Sequence, residues 1–267
     1  MEKDLLRVKK QLIEYINIIG KEYPYSKTNA LLERMNDKEE IVEFSRDNSI
    51  SFYVRNGVLY LPKEAYQFFP LIKEYKDYGK NKDNYRKYDE YLKTNTTYMD
   101  YIKHVIDCGL SVFDYFIESL LHEAMHLCGS GGGNPLEEGI NELKTRELAA
   151  KYNIKIASYG YPKEVEIAKS LQLIIGKENM DDLTFIRKQD RKKFLTERVS
   201  AEVSELYELV SNKMIEKSRS YYDKFTKVSN PFEKANLYDN NIDYTEVNNI
   251  ISEFNKNNKV DDNNIHK

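Results

Sequence analysis

The chain has 267 residues and a formal net charge of −3, with a sequence pI of about 6.0. That length can bury a full core in one large domain or two small ones, and the acidic balance argues against nucleic acid as a partner. Two cysteines, Cys108 and Cys128, are too few for a disulfide framework. No apolar run is long enough to span a bilayer, and Met1-Glu2-Lys3-Asp4-Leu5-Leu6-Arg7 lacks the basic-then-apolar layout of a secretory signal. A cytoplasmic protein with no membrane partner is expected.

In chain order, 2–19 carries a broad helical stripe of Leu5, Leu6, Val8, Leu12, Ile13, Tyr15, Ile16 and Ile19, with Gly20 as its stop. A short helix is predicted over 28–36. Ile50, Phe52 and Val54 then alternate with polar residues before Asn56-Gly57, and Val58, Tyr60 and Pro62 follow. This predicts a hairpin across 49–62, because both central residues of a type I′ turn need positive φ. The hairpin is expected either as one edge of a small antiparallel sheet beside an active-site cleft, able to pair with an extended peptide, or as one that merely packs on helices. A helix over 63–76 is expected to kink at Pro70. Tyr75 to Thr97 reads as a solvated polar face, and 98–107 carries Tyr98, Tyr101, Ile102 and Val105, with His104 among them.

From Ser111, a candidate N-cap, the pattern changes. Val112, Phe113, Tyr115, Phe116, Ile117, Leu120, Leu121, Met125 and Leu127 are apolar nearly all round, which predicts a buried central helix over 111–128. Inside it stands His122-Glu123-Ala124-Met125-His126. Helical spacing places the two imidazoles one turn apart on one face, where both can meet one Zn²⁺. Glu123 sits one position on, where a carboxylate can take the proton of a water activated at the metal. Two histidines and a glutamate in so apolar a helix are costly unless paired or coordinated. That cost is the physical reason to read the motif as a site.

Gly129-Ser130-Gly131-Gly132-Gly133 ends the helix and permits a sharp reversal. Asn134-Pro135-Leu136-Glu137 then reads as N-cap, first helical position and capping-box acid, opening a helix that runs to about Lys151. Glu138 and Glu142 share one face of it at i, i+4. Gly139 removes a side chain and is expected to let the helix approach the metal. Eleven residues separate His126 from Glu138, enough for a loop and one turn to bring Glu138 back over the histidines.

Tyr152 to Pro162 reads as a loop containing Tyr159 and Tyr161, and 163–175 as a helix capped by Gly176. One long helix is predicted over 189–226, with Phe194, Leu195, Val199, Val203, Leu206, Leu209, Val210, Met214 and Ile215 as its inner stripe. Asp239, Asn241 and Asp243 imitate the opening of a calcium loop, but Tyr244 and Ile250 stand where Gly and Glu are needed. The Asn/Lys/Asp-rich 251–267 is expected to be a disordered tail. The whole predicts a predominantly helical α+β protein. It forms a single domain over 1–250, with an N-terminal region (1–109), the motif helix (111–128) and a C-terminal helical region (134–250).

His122-Glu123-Ala124-Met125-His126 followed by Leu136-Glu137-Glu138-Gly139-Ile140-Asn141-Glu142 resembles the gluzincin branch of the zincin metallopeptidases, of which thermolysin-like enzymes are familiar members. The likeness covers about 111–150. It implies a zincin-like fold around the motif helix, Zn²⁺ on His122, His126 and Glu138, and Glu142 as the acid supporting a ligand histidine from behind. The chain departs from the pattern in two ways. The interval from His126 to Glu138 is shorter than in thermolysin, which leaves Glu142 open as the third ligand, and Glu137 stands where Asn is usual. No third histidine occurs at metzincin spacing.

The implied activity is hydrolysis of peptide bonds in a peptide or protein substrate, with Glu123 as general base. An oxyanion donor is expected from beyond the ligand helix. Tyr161 is favoured over Tyr159, with His104 and Arg146 behind; the bland alternative for either tyrosine is a residue at the edge of the core. Cys128 is expected as a small buried filler. The alternative function is a zincin-fold binding or regulatory protein without turnover; an intact Glu123 favours the enzyme.

Overall fold

The computed structural model describes residues 2–36, 41–44, 53–61, 112–129, 133–154, 161–227 and 242–258. It is mostly helical, with one small sheet. Helix α1 (Glu2–Glu22) buries Val8, Leu12, Tyr15, Ile16 and Ile19 along one stripe. It runs on past Gly20, where the sequence predicts a stop. A Cβ on Gly20 would stand 2.5 Å from Oγ1 of Thr28, the first residue of α2 (Thr28–Asn36). The glycine therefore serves a close approach between helices.

Strands β2 (Tyr53–Arg55) and β3 (Val58–Leu61) form the expected hairpin. Asn56 at φ 53° and Gly57 at φ 74° supply the two positive-φ positions. The sheet is mixed, not purely antiparallel: β1 (Val42–Phe44) pairs parallel to β3, giving the order β1-β3-β2. Leu59 and Leu61 of the central strand are buried. Helix α3 (Val112–Cys128) lies against β2, β3, α1 and α2, and buries Leu120, Leu121, Ala124 and Met125 completely. Lys27 holds its C-terminal end. The Lys27 backbone N–H donates to the Cys128 carbonyl at 3.0 Å, and its ammonium donates to the Gly129 carbonyl at 3.0 Å. Carbonyls left over at a helix end are thereby satisfied, with a cation at the negative pole of the dipole.

Helix α4 (Pro135–Tyr152) starts as predicted, with Asn134 Oδ1 accepting from the Glu137 N–H at 2.9 Å. The Glu137 carboxylate is used elsewhere than in a capping box. Arg191 Nη1 donates to its Oε1 at 2.7 Å, and Lys188 lies 3.1 Å from Oε2. The remaining helices among the described residues are α5 (Pro162–Ile175), α6 (Lys177–Phe185), α7 (Lys188–Arg198), α8 (Ala201–Lys227) and α9 (Thr245–Asn258). Gly176 closes α5 at φ 87°.

The single helix predicted over 189–226 is two. Val199 leaves helical geometry at φ −123°, ψ −82°, and Ser200 Oγ accepts from the Val203 N–H at 3.2 Å, capping α8. Leu209 and Ile215, assigned to the inner stripe, face solvent at 45% and 36% exposure. The tail expectation fails over 251–258, which belongs to α9: Tyr244, Val247 and Ile251 are buried and pay for its order. Asp243 starts that helix, its Oδ1 accepting from the Thr245 N–H at 2.9 Å and hydroxyl at 2.6 Å. The predicted elements over 63–107, with His104, and also Ser111, Cys108, Tyr159, Asp239, Asn241 and 259–267, lie outside the described residues.

Two apolar clusters meet at α4. One joins α1, α2, the sheet and α3 to Leu148, Ala149 and Phe185. The other joins Leu136, Ile140 and Leu143 to α5, α6, α7, α8 and α9. Among the described residues no helix is long and apolar enough to cross a membrane.

Candidate metal centre

Helices α3 and α4 bring His122, His126 and Glu138 together. Nε2 of His122 and Nε2 of His126 are 3.0 Å apart; Glu138 Oε2 lies 3.3 Å from the first and 3.1 Å from the second. Bonds of about 2.0–2.1 Å at tetrahedral angles place ligand atoms roughly 3.3 Å apart. The three donor atoms already stand close to that spacing, so this group could hold a metal ion.

The glutamates are not equivalent. Glu142 sits behind His122, with its Oε2 3.0 Å from Nδ1 and its Oε1 accepting from Arg146 Nε at 2.9 Å. Its carboxylate thus meets the nitrogen turned away from the convergence point, while Glu138 meets the nitrogens turned toward it. The side chain of Asn141 likewise reaches the far nitrogen, Nδ1, of His126. The atom in contact is the amide nitrogen Nδ2; with Nε2 as the ligating nitrogen Nδ1 would carry the proton, and the amide would turn over to accept from it through its oxygen. Asn141 is absent from the sequence-based candidates. The available signal was its place three residues after Glu138, on the face already assigned to the site.

Burial disfavours a charge on His122, but the Glu138 and Glu142 carboxylates outweigh it and hold the imidazole protonated up to about 10. Burial likewise opposes charge on Glu138, and the two histidines outweigh it, leaving its carboxyl well below the usual carboxylate range. Glu123 is partly exposed. The apolar surroundings of α3 push its carboxyl up to about 7 against the pull of the two imidazoles.

Tyr161 precedes α5 in the left-handed region, at φ 53°, ψ 46°, a conformation uncommon for a tyrosine. Its ring stacks on His122, with centroids 5.6 Å apart at an interplanar angle of 19°. Arg146, the weaker oxyanion candidate, directs its Nε to Glu142. Cys128 is a free, fully buried thiol whose pKa burial raises above its ordinary range, in keeping with filler. Gly139 serves a different neighbour from the one predicted. A Cβ there would lie 2.4 Å from the Glu164 carbonyl oxygen, so the glycine sets the approach of α4 to α5. The Asn56-Gly57 turn faces α2, where a Cβ on Gly57 would stand 3.3 Å from Arg34 Nη1. Comparison of the chain with family models, curated proteins and solved structures returned no match.

Proposed function

We propose that the chain is a metal-dependent hydrolase, and more particularly a zinc peptidase of the gluzincin type on a zincin-like fold. The observation that carries the reading is the convergence of His122 Nε2, His126 Nε2 and Glu138 Oε2 within 3.0–3.3 Å of one another. The far nitrogens of both rings are meanwhile held by Glu142 and Asn141. Two imidazoles and one carboxylate would hold the ion and leave it room for a water or substrate oxygen, the donor set of catalytic zinc. When bound, Zn²⁺ supplies Lewis-acid polarisation of a carbonyl and lowers the pKa of water to about 7.

The chain's own residues supply the rest. Glu123 takes the proton of the attacking water and passes it to the leaving amine. Tyr161, its ring held against His122, offers a phenol to the developing oxyanion. The sheet packed on α3 offers β1 or β2, the outer strands among the described residues, for pairing with an extended peptide.

Metal analysis of the purified chain, together with a Glu123→Gln variant assayed on a broad peptide library, tests the reading. About one zinc per chain is expected in both proteins, with hydrolysis falling by about 10²–10⁴-fold in the variant. Equal silence of two zinc-loaded proteins identifies a binding protein and sinks the peptidase reading. A chain that refuses metal sinks both.

A further inference from the structure

Glu138 and Glu142 lie one turn apart on the same face of α4, and both reach His122. Something must decide which of them meets the metal. We infer that Arg146 is the positioning residue that makes this choice, by pinning Glu142 behind His122 and leaving Glu138 as the third ligand. The inference rests on the metal-site reading above.

Glu138, Glu142 and Arg146 follow one another at i, i+4 and i+8, so ligand, support and anchor form one stripe along α4. Glu142 uses both oxygens: Oε1 accepts from Arg146 Nε at 2.9 Å and Oε2 faces His122 Nδ1 at 3.0 Å. The Glu142 side chain is 6% exposed and that of Arg146 20%. Turning the Glu142 carboxylate toward Nε2 would break a charge-assisted bond in a place with little water to replace it. Glu138 instead directs Oε2 at the two Nε2 atoms. The planar guanidinium matters as well as the charge, because Nε donates along a fixed direction that an ammonium does not reproduce.

The test uses the full chain and reads metal binding directly. Zn²⁺ affinity is measured by competition with a chromogenic chelator, and Co²⁺ is substituted for its visible absorption, which reports the ligand set. Arg146→Met is expected to weaken Zn²⁺ binding by about 10–100-fold and to alter the Co²⁺ band, and Arg146→Lys to recover some of the affinity. In a Glu142→Gln background, Arg146→Met should cost less than about 2-fold more, since it acts through the group already changed. Wild-type affinity and spectrum in Arg146→Met overturn the inference. So does an equal loss in both backgrounds, which would mean that Arg146 acts elsewhere on α4. If circular dichroism shows Arg146→Met unfolded, Arg146→Lys takes its place in the same cycle, with a loss expected only beside an intact Glu142. A wild-type chain that binds neither ion removes the metal reading and this inference together. A chain that binds zinc but cleaves nothing removes only the peptidase reading.

Discussion

Two of the buried polar clusters on helix α4 lie on opposite faces, and they differ in charge balance. On the α5–α6 side, Lys144 is completely buried. Its ammonium meets Asp181, Gln172 Oε1 at 2.5 Å and Glu147 Oε2 at 3.4 Å, and Lys177 also pairs with Glu147. Two ammonium groups face two carboxylates, and Gln172 Nε2 adds a donor to Glu147 at 3.3 Å. On the α3 side, Glu123, Glu138 and Glu142 surround the histidines with Arg146 as the guanidinium beside them. Three carboxylates against one cation leave a deficit of two positive charges when Glu123 is ionised. A self-neutral cluster ties helices together; a cluster left negative with two imidazoles in it is suited to a divalent ion. The proton that His122 holds up to about 10 answers the same demand with the smallest cation.

The comparison breaks most visibly at Lys144. Lys144→Met leaves Glu147 and Asp181 facing each other without their buried partner, and losing one member of a buried ion pair costs about 3–5 kcal/mol. The lower end is expected, because Glu147 and Asp181 keep 28% and 22% side-chain exposure. Urea unfolding measures the loss; a midpoint equal to wild type would mean that the cluster does not hold α4 in place. Glu138→Gln should act in the other way. At a zinc concentration of 100 times Kd, binding to the native state adds about 2.7 kcal/mol, read as a rise in Tm. That rise should vanish in Glu138→Gln and persist in Lys144→Met. The reverse pattern would show that the two faces do not divide the work as their charges suggest.

How far each face could be read from sequence follows from the kind of signal it carries. Helix α3 and the start of α4 were legible because an all-round apolar pattern, a glycine run and Asn134-Pro135 are local signatures. The hairpin was legible because Asn56-Gly57 permits few alternatives. Strand β1 was not, since its three residues are ordered by a partner strand distant in sequence. The break before α8 was hidden because Val199 continues the apolar stripe across it. Helix α9 was hidden because Glu246, Asn248, Asn249, Ser252 and Glu253 surround its inward residues Val247 and Ile251. Within the site, spacing brought Glu138 and Glu142 to one face but could not say which nitrogen each would meet. Asn141 has no motif to announce it. Gly139 shows the converse error, a glycine beside Glu138 whose reason lies in helix packing.

Gly139 also joins the two faces, since it sets the distance from α4 to α5. In Gly139→Ala the new Cβ would sit 2.4 Å from a backbone oxygen of Glu164, and backbone yields less readily than a side chain tip. Overpacking of this kind costs about 1–3 kcal/mol. Thermal unfolding should show the loss, with weaker zinc binding beside it because Glu138 is the adjacent residue. A loss of stability with unchanged zinc affinity would mean that the α3 face tolerates movement of α4 on the other side.

The smallest effect separates the buried centre of the Lys144 cluster from its solvent-facing rim. Burial raises the Glu147 carboxyl, but Lys177, Lys144 and Gln172 outweigh it, so its folded pKa lies below the ordinary 4.5. A depressed folded pKa stabilises the native state above the unfolded value and loses that contribution as pH falls through the folded one. Lys177 is 58% exposed, so its share is that of a surface pair, about 0.2–1 kcal/mol. Lys177→Met should therefore be less stable than wild type by that amount at pH 7. The two urea midpoints should converge as pH falls below 4.5 and Glu147 takes up its proton. A gap that stays constant into acid would assign the role of Lys177 to its aliphatic stem packing on α6, and would leave Lys144 and Asp181 alone as the charges that matter on that face.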